Sequence, residues 1–411
     1  MAGCDDGCSE AALSIDDATH RLRHFASLTE VEDVELAAGV GRVLAADVTA
    51  ESPVPAHPSS AMDGYALRAA DAPDGGTLPL QGRSAAGRPL GEPLRPGYAV
   101  RILTGAVLPS GADTVVMQEY CQEQDGQVTL PADVVAGQNC RPIGDDLAAG
   151  SVVLRRGTRL RAQDVGAAAS VGRGTLPVFR RLRVAVLATG DELRRPGEPL
   201  PEGCIYDSNR HTIGAALNAL GAEVIDSRIV ADNPATVREA LRTAAARADL
   251  IVSTGGVSVG DEDHVRPAVE ELGALDFWRL PVKPGGPIAV GNVAGVPFVG
   301  LPGNPVATLV AFWLTARPLV LHLMGAAEVA VPRYPAVADF SLRHRPGRRE
   351  FLRGRVHIDD SGTPHVQTYH SSGSGMLSSL TWSDGLVEIS EDSGDVSPGD
   401  LVHYIPYTAL T

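Results

Sequence analysis

Between residues 180 and 327 two kinds of apolar pattern take turns. LRVAVLAT, EVIDSRIV and DLIVSTG are short runs rich in β-branched residues and read as buried strands. SNRHTIGAALNAL, ATVREALRTAAARA and DHVRPAVEELG carry apolar residues at helical spacing and predict helices. Asp207 or Ser208 caps the first of these and Gly221 ends it. In LPGNP, Asn304 caps a further helix with Pro305 at its first position. Strands alternating with helices imply crossover connections and a doubly wound parallel α/β sheet.

The pattern differs elsewhere. Residues 14 to 50 read as helical through DDATHRLRHFASL and are closed by VGRVLAADV. From about 51 to 145, short runs such as YAVRILTG, DTVVMQEY and QVTLPAD between prolines and glycines predict a β domain. Helical texture returns in RAQDVGAAASVG, so the β zone reads as an insertion into a discontinuous unit. After residue 328, EFLRGRVHI, HVQTY, GLVEIS and LVHYIPY predict a small β-barrel or sandwich. The expected division is an elongated domain from 10–50 and 146–178, an inserted β domain at 51–145, an α/β domain at 179–327, and a C-terminal β domain at 328–411.

At 411 residues the chain exceeds one ordinary core. A net charge of −15 argues against nucleic acid or an anionic membrane as partner. The longest apolar stretch, VATLVAFWLTARPLVLHLMG, is interrupted by Arg317 and Pro318, so no membrane span is expected. Five scattered cysteines and no signal-peptide pattern give a cytoplasmic reading. Eight arginines against the single acid Asp164 between Arg155 and Arg183 form a solvated face or an anion site.

In an open parallel sheet, ligands bind outside the carboxyl ends of the strands. The loops expected there are ATGDEL, VADN, STGGVSVGDED and GLPGNP, each with glycine, an acid, or both. In STGGVSVGDEDH, Gly255, Gly256 and Ser258 suit an anion, whereas Asp261, Glu262 and Asp263 repel one unless a hard cation intervenes. N-capping by Asp261 or Asp263 is the competing reading. His264 is a ligand or a structural helix residue, and Lys283 an oxyanion donor or a solvated lysine. Neither a Walker loop nor a dinucleotide fingerprint follows any strand.

SAMDGYA (60–66), VRILTGAVLPSGADTVVMQE (100–119), VLATGDEL (186–193), STGGVSVGDED (253–263), VKPGGP (282–287), GLPGNPVATLV (300–310), GRREFLRG (347–354) and GSGMLSSL (373–380) together resemble the molybdopterin molybdenumtransferase family. These are the bacterial MoeA proteins and the related E domains of the plant enzyme and gephyrin. The resemblance covers nearly the whole chain in order.

It implies the four-part fold, with an α/β domain similar to the molybdopterin adenylyltransferase. It also implies a homodimer whose site lies in a cleft between subunits. The implied reaction takes adenylylated molybdopterin and molybdate, cleaves the pyrophosphate with Mg²⁺, and gives molybdenum cofactor and AMP. Substrate would arrive from an adenylyltransferase and product pass to apo-molybdoenzymes. Carried over by position, Asp63 and Thr104 approach the nucleotide, and Glu192, Asp232 and Asp263 manage Mg²⁺ or the attacking group. Gly255, Gly256 and Ser258 cradle phosphate; Lys283, Arg348 and Ser374 hold the molybdate or dithiolene end; Asp146 matches an acidic position. The chain departs from the family at Gly286, often a second lysine, at HPS (57–59), often FDN, and at GSG (373–375), often GSH. The alternatives are the adenylyltransferase step itself and a non-catalytic cofactor carrier or scaffold.

Overall fold

The computed structural model describes residues 14–72, 74–256 and 264–410. Its central sheet has six strands in the order Glu223–Val230, Arg183–Thr189, Leu250–Thr254, Val296–Leu301, Pro287–Val293, Gly273–Arg279. The first four run parallel, as crossover helices require. Pro287–Val293 runs antiparallel to both of its neighbours, so the sheet is mixed and not wholly parallel. The cause is a two-residue turn: Ala294 and Gly295 both take positive φ (51° and 84°), the geometry that reverses a tight hairpin.

The helices beside this sheet begin and end where the side chains dictate. Asp207 Oδ1 accepts the Arg210 N–H ahead of the helix Asn209–Leu220, and Gly221 ends that helix at φ 93°. Asn233 accepts from the Thr236 N–H and Pro234 opens Pro234–Ala245.

In the N-terminal stretch only Ile15–Leu22 is α-helical. Val31–Glu35, expected to be helical, is a strand antiparallel to Thr175–Phe179. Its β-branched Val31 and Val34 favour extended backbone, and the distant strand supplies the hydrogen bonds. Val48–Thr49 pairs likewise with Val152–Leu154. The two separated segments therefore meet through strands. Between them, a second six-stranded sheet runs from Gly64–Leu67 to Gln127–Thr129 in sequence.

The C-terminal strands close on themselves. Arg349–Ile358 pairs with Pro364–Thr368 on one side and Gly385–Ile389 on the other, and Tyr334–Ala338 and Leu401–Pro406 complete the ring. The result is a five-stranded barrel, not a sandwich. Val282–Lys283 adds to its outside, parallel to Arg349–Glu350.

Arg317 and Pro318 do not interrupt the apolar helix, contrary to the sequence expectation. Pro305–Leu323 is continuous, with a π-helical turn at Phe312–Ala316 just before them. A wider turn accommodates a residue whose nitrogen cannot donate. The helix is long and apolar enough to cross a membrane, but 94% of that window is buried against protein.

The arginine-rich stretch serves mainly as clamps. Arg180 pairs with Glu30 and Asp249, Arg183 with Asp249, Arg173 with Glu51, and Arg161 with Asp164. For Asp249, burial pushes the carboxyl up, but hydrogen bonds from Arg180 and Arg183 outweigh it and hold it at about 2. That stabilisation is complete above the unfolded carboxylate value near 3.9 and is lost as pH falls toward 2. Asp249→Asn should destabilise the fold by on the order of 2 kcal/mol at neutral pH. Denaturant melts of both proteins should show that gap narrowing below about pH 4; a gap constant down to pH 2.5 would contradict the assignment.

Candidate active site

At the carboxyl ends of the parallel strands lies a cleft of about 560 Å³. Its described walls are Thr189, Gly190, Glu192, Leu193, Ile205 to Asn209, Asp232, Thr254 to Gly256, Pro287, and Pro302 to Pro305. All four loops expected at the strand ends reach it. The strand register aligns Thr189 with Val230, Ala188 with Thr254, and Thr254 with Leu301, so the loops leave the sheet side by side.

Glu192 is exposed on the cleft wall and Asp232 is half-buried there. Asp191 Oδ1 accepts the Asp232 N–H at 3.1 Å, tying the two acid-bearing loops together. Gly255 takes φ 83°, and a Cβ there would lie 2.6 Å from the Thr189 carbonyl oxygen. Its own N–H donates to Leu301 O within the sheet, so Gly255 serves close backbone passage, not anion binding. Gly256, at φ 65°, passes equally close to Thr189 Oγ1 and Val265. Ser258, Asp261, Glu262 and Asp263 lie outside the described residues. His264 stands at the N-cap of Val265–Leu272 without a side-chain capping bond.

The cationic residues gather on a neighbouring seam between sheet and barrel. Pairing of Val282–Lys283 with Arg349–Glu350 puts Lys283 beside Glu350, whose carboxylate is buried. Lys283 Nζ donates to both carboxylate oxygens, at 3.1 and 3.2 Å. Arg348 reaches the same carboxylate at 3.8 Å, and Nδ1 of the buried His344 lies 3.7 Å from it. Two partly exposed cations thus share one carboxylate, leaving positive charge for an oxyanion. Ser374 sits on the adjoining loop, where its carbonyl accepts the Val306 N–H at the start of the long helix. Buried Arg353 fixes that loop through Ser371 O and Ser379 Oγ.

Asp63 and Thr104 meet in the inserted β domain. Asp63 Oδ1 accepts both the Thr104 N–H (2.6 Å) and hydroxyl (2.7 Å). Those bonds, the backbone one first, hold the Asp63 carboxyl below its usual range. Neither residue is among the described residues lining the α/β cleft. Asp146 is exposed on a turn whose N–H donates to Val54 O.

Sequence reading missed Thr189, Asn209, Glu350 and Arg353. Thr189 Oγ1 is buried in the cleft wall with no partner among the described residues. Asn209 donates to Gly303 O, joining two cleft loops. Glu350 and Arg353 lie in the quoted GRREFLRG, but only the strand register reveals what they anchor.

Cleft, seam and flanking β domains define a multidomain protein built around an α/β sheet with a strand-end ligand cleft. Residues 185–322 match a probable molybdopterin binding domain, residues 13–172 the MoeA N-terminal region (domains I and II), and residues 335–407 the MoeA C-terminal region (domain IV). The chain is 38% identical to the molybdopterin molybdenumtransferase of Haemophilus influenzae, over 97% of this chain and 99% of that one. It is 37% identical to molybdopterin molybdenumtransferase 2 of Mycobacterium tuberculosis, over 89% and 92%. The crystal structure of the MoeA protein of Pyrococcus horikoshii superposes with a TM-score of 0.82 at 29% identity, over 96% of this chain and all of that one. The chain belongs to the MoeA family of molybdopterin molybdenumtransferases.

A Gly255→Ala substitution should cost about 1–2 kcal/mol from its left-handed backbone alone and push the loop off Thr189. Thermal melting and titration with adenylylated molybdopterin would measure both. Unchanged melting and unchanged binding would remove Gly255 from any role in shaping the cleft.

Proposed function

We propose that this chain inserts molybdate into adenylylated molybdopterin and releases AMP, in a site built from the α/β cleft, the Lys283 seam and the Asp63 pair of a second subunit. The observation that carries this reading is the convergence of four strand-end loops on one cleft that holds Glu192 and Asp232, next to a cationic seam.

The described donor set fits Mg²⁺. It offers the carboxylates of Glu192 and Asp232, the hydroxyls of Thr189 and Ser208, and side-chain amides of Asn209 and Asn304, with no thiolate or imidazole among the described lining residues. Glu192, Asp232 and, by position, Asp263 would hold the ion, which when bound neutralises phosphate charge during pyrophosphate cleavage. Gly256 and Ser258 would present N–H and hydroxyl donors to phosphate, and Gly255 would let the loop approach. Lys283 and Arg348 would bind molybdate oxygens, with Glu350 fixing both cations and Ser374 completing the wall. Gly286 leaves this job without a second lysine. Asp63 would hold Thr104 toward the nucleotide. Asp146 would add negative charge at the rim.

Purified protein, adenylylated molybdopterin, molybdate and Mg²⁺ should release AMP in a molybdate-dependent way and yield a product that activates a cofactor-free molybdoenzyme. Glu192→Ala and Asp263→Ala should each lower the rate by at least about a hundredfold. Substrate binding without AMP release by the wild type would overturn the reading in favour of a carrier or scaffold.

The shared site makes a separate prediction. Mixing Asp63→Ala and Glu192→Ala subunits should restore about a quarter of wild-type activity, because half the dimers are mixed and each mixed dimer has one intact site. No recovery after subunit exchange would mean that the two residues act within one subunit.

A further inference from the structure

Outside the residues of the cleft, the C-terminal barrel assembles a second donor cluster. His357 lies on Arg349–Ile358 and His365 on Pro364–Thr368, and the antiparallel register sets them directly opposite each other. Asp339 follows Tyr334–Ala338, the strand on the other side of Pro364–Thr368, where Val337 is aligned with His365. The Asp339 N–H donates to Val366 O, which continues that alignment past the strand end. Side chains two positions apart on a strand share a face, so three adjacent strands deliver two imidazoles and a carboxylate to one spot.

The distances suit a small ion. One donor atom from each of Asp339, His357 and His365 lies within 4.8 Å of the others. His357 Nε2 is 3.4 Å from Asp339 Oδ2, and His365 Nδ1 is 2.8 Å from Asp339 Oδ1. Metal–ligand bonds of about 2.0–2.1 Å in a tetrahedron put neighbouring donors about 3.3 Å apart. The first pair already has that spacing. The second must open by about half an ångström, which a partly exposed aspartate allows.

A further carboxylate orients the set. Asp359 Oδ1 is occupied by Ser361 and Thr363, which aims Oδ2 at His365 Nε2, 3.5 Å away. A carboxylate behind a histidine holds the proton on the far nitrogen and turns the near one toward a metal. Two imidazoles select zinc-like ions over Mg²⁺.

We propose that Asp339, His357 and His365 form a site for a divalent transition-metal ion of the zinc type, with Asp359 as its orienting partner and the fourth position open to solvent. An ion there would clip three barrel strands together. The site is separate from the acidic cleft and does not depend on the activity proposed above.

The test uses tag-free full-length protein stripped with chelator and titrated calorimetrically with Zn²⁺, then with Co²⁺ while visible absorption is followed. The expected result is about one equivalent bound, Co²⁺ bands of tetrahedral intensity, and a higher melting temperature with metal. His357→Asn, at a half-exposed position, and His365→Asn should each weaken binding by at least about tenfold. Asp359→Asn should weaken it less, and Asp232→Asn should leave it unchanged. Binding indifferent to both histidine substitutions, or no saturable binding, would overturn the proposal.

Discussion

Burial of one helix that is apolar on every side constrains everything around it. Pro305–Leu323 has no face to offer water, so other parts of the chain must cover it. Leu22 and Ile15 from the N-terminal helix, Val186 and Val299 from the sheet, and Phe351 and Ile405 from the barrel share its core. Two of its polar side chains, Arg317 and His322, bond to distant segments. Arg317 donates to the carbonyls of Val329, Ala409 and Leu410, and burial pushes its guanidinium down to about 10. His322 Nε2 bonds Phe25 O, and Trp313 packs on Tyr407. The start of the same helix forms one wall of the cleft, so the wall is held by contacts made at both chain ends.

The cleft illustrates how a parallel sheet gathers chemistry without any local motif. Acids and glycines separated by more than a hundred positions become neighbours because parallel strands end along one edge. The cationic seam arises differently, from two residues of sheet connection pairing with two residues of barrel. Anion and cation functions are thus set by independent pairings and brought together by the buried helix, whose first turn donates the Val306 N–H to Ser374 O.

What was legible in the sequence follows from the range of the forces involved. The cap at Asp207 and the stop at Gly221 are local and appeared where the side chains announced them. So did the four strand-end loops, since their order depends only on alternating periodicity. Val31–Glu35 was misread because its partner lies some 140 residues away, and periodicity carries no information about such a partner. The hairpin at Ala294–Gly295 was missed because alanine seldom takes positive φ. Pro318 was read as a break because the relief offered by a π turn depends on tertiary packing. The role of Glu350 is visible only in register, which no single segment encodes.

The pairing of Val282–Lys283 with Arg349–Glu350 also bears on how this chain can vary over time. Side chains alternate faces along a strand, so inserting or deleting one residue between Leu280 and Gly286 would turn Lys283 away from Glu350 and place a neighbour there instead. The neighbour on one side is Pro284, which has no N–H to give the barrel edge. Changes of length are therefore blocked in this segment while changes of side chain are open. Gly286 in place of a lysine is a variation of the permitted kind, and surface loops elsewhere carry no such restriction.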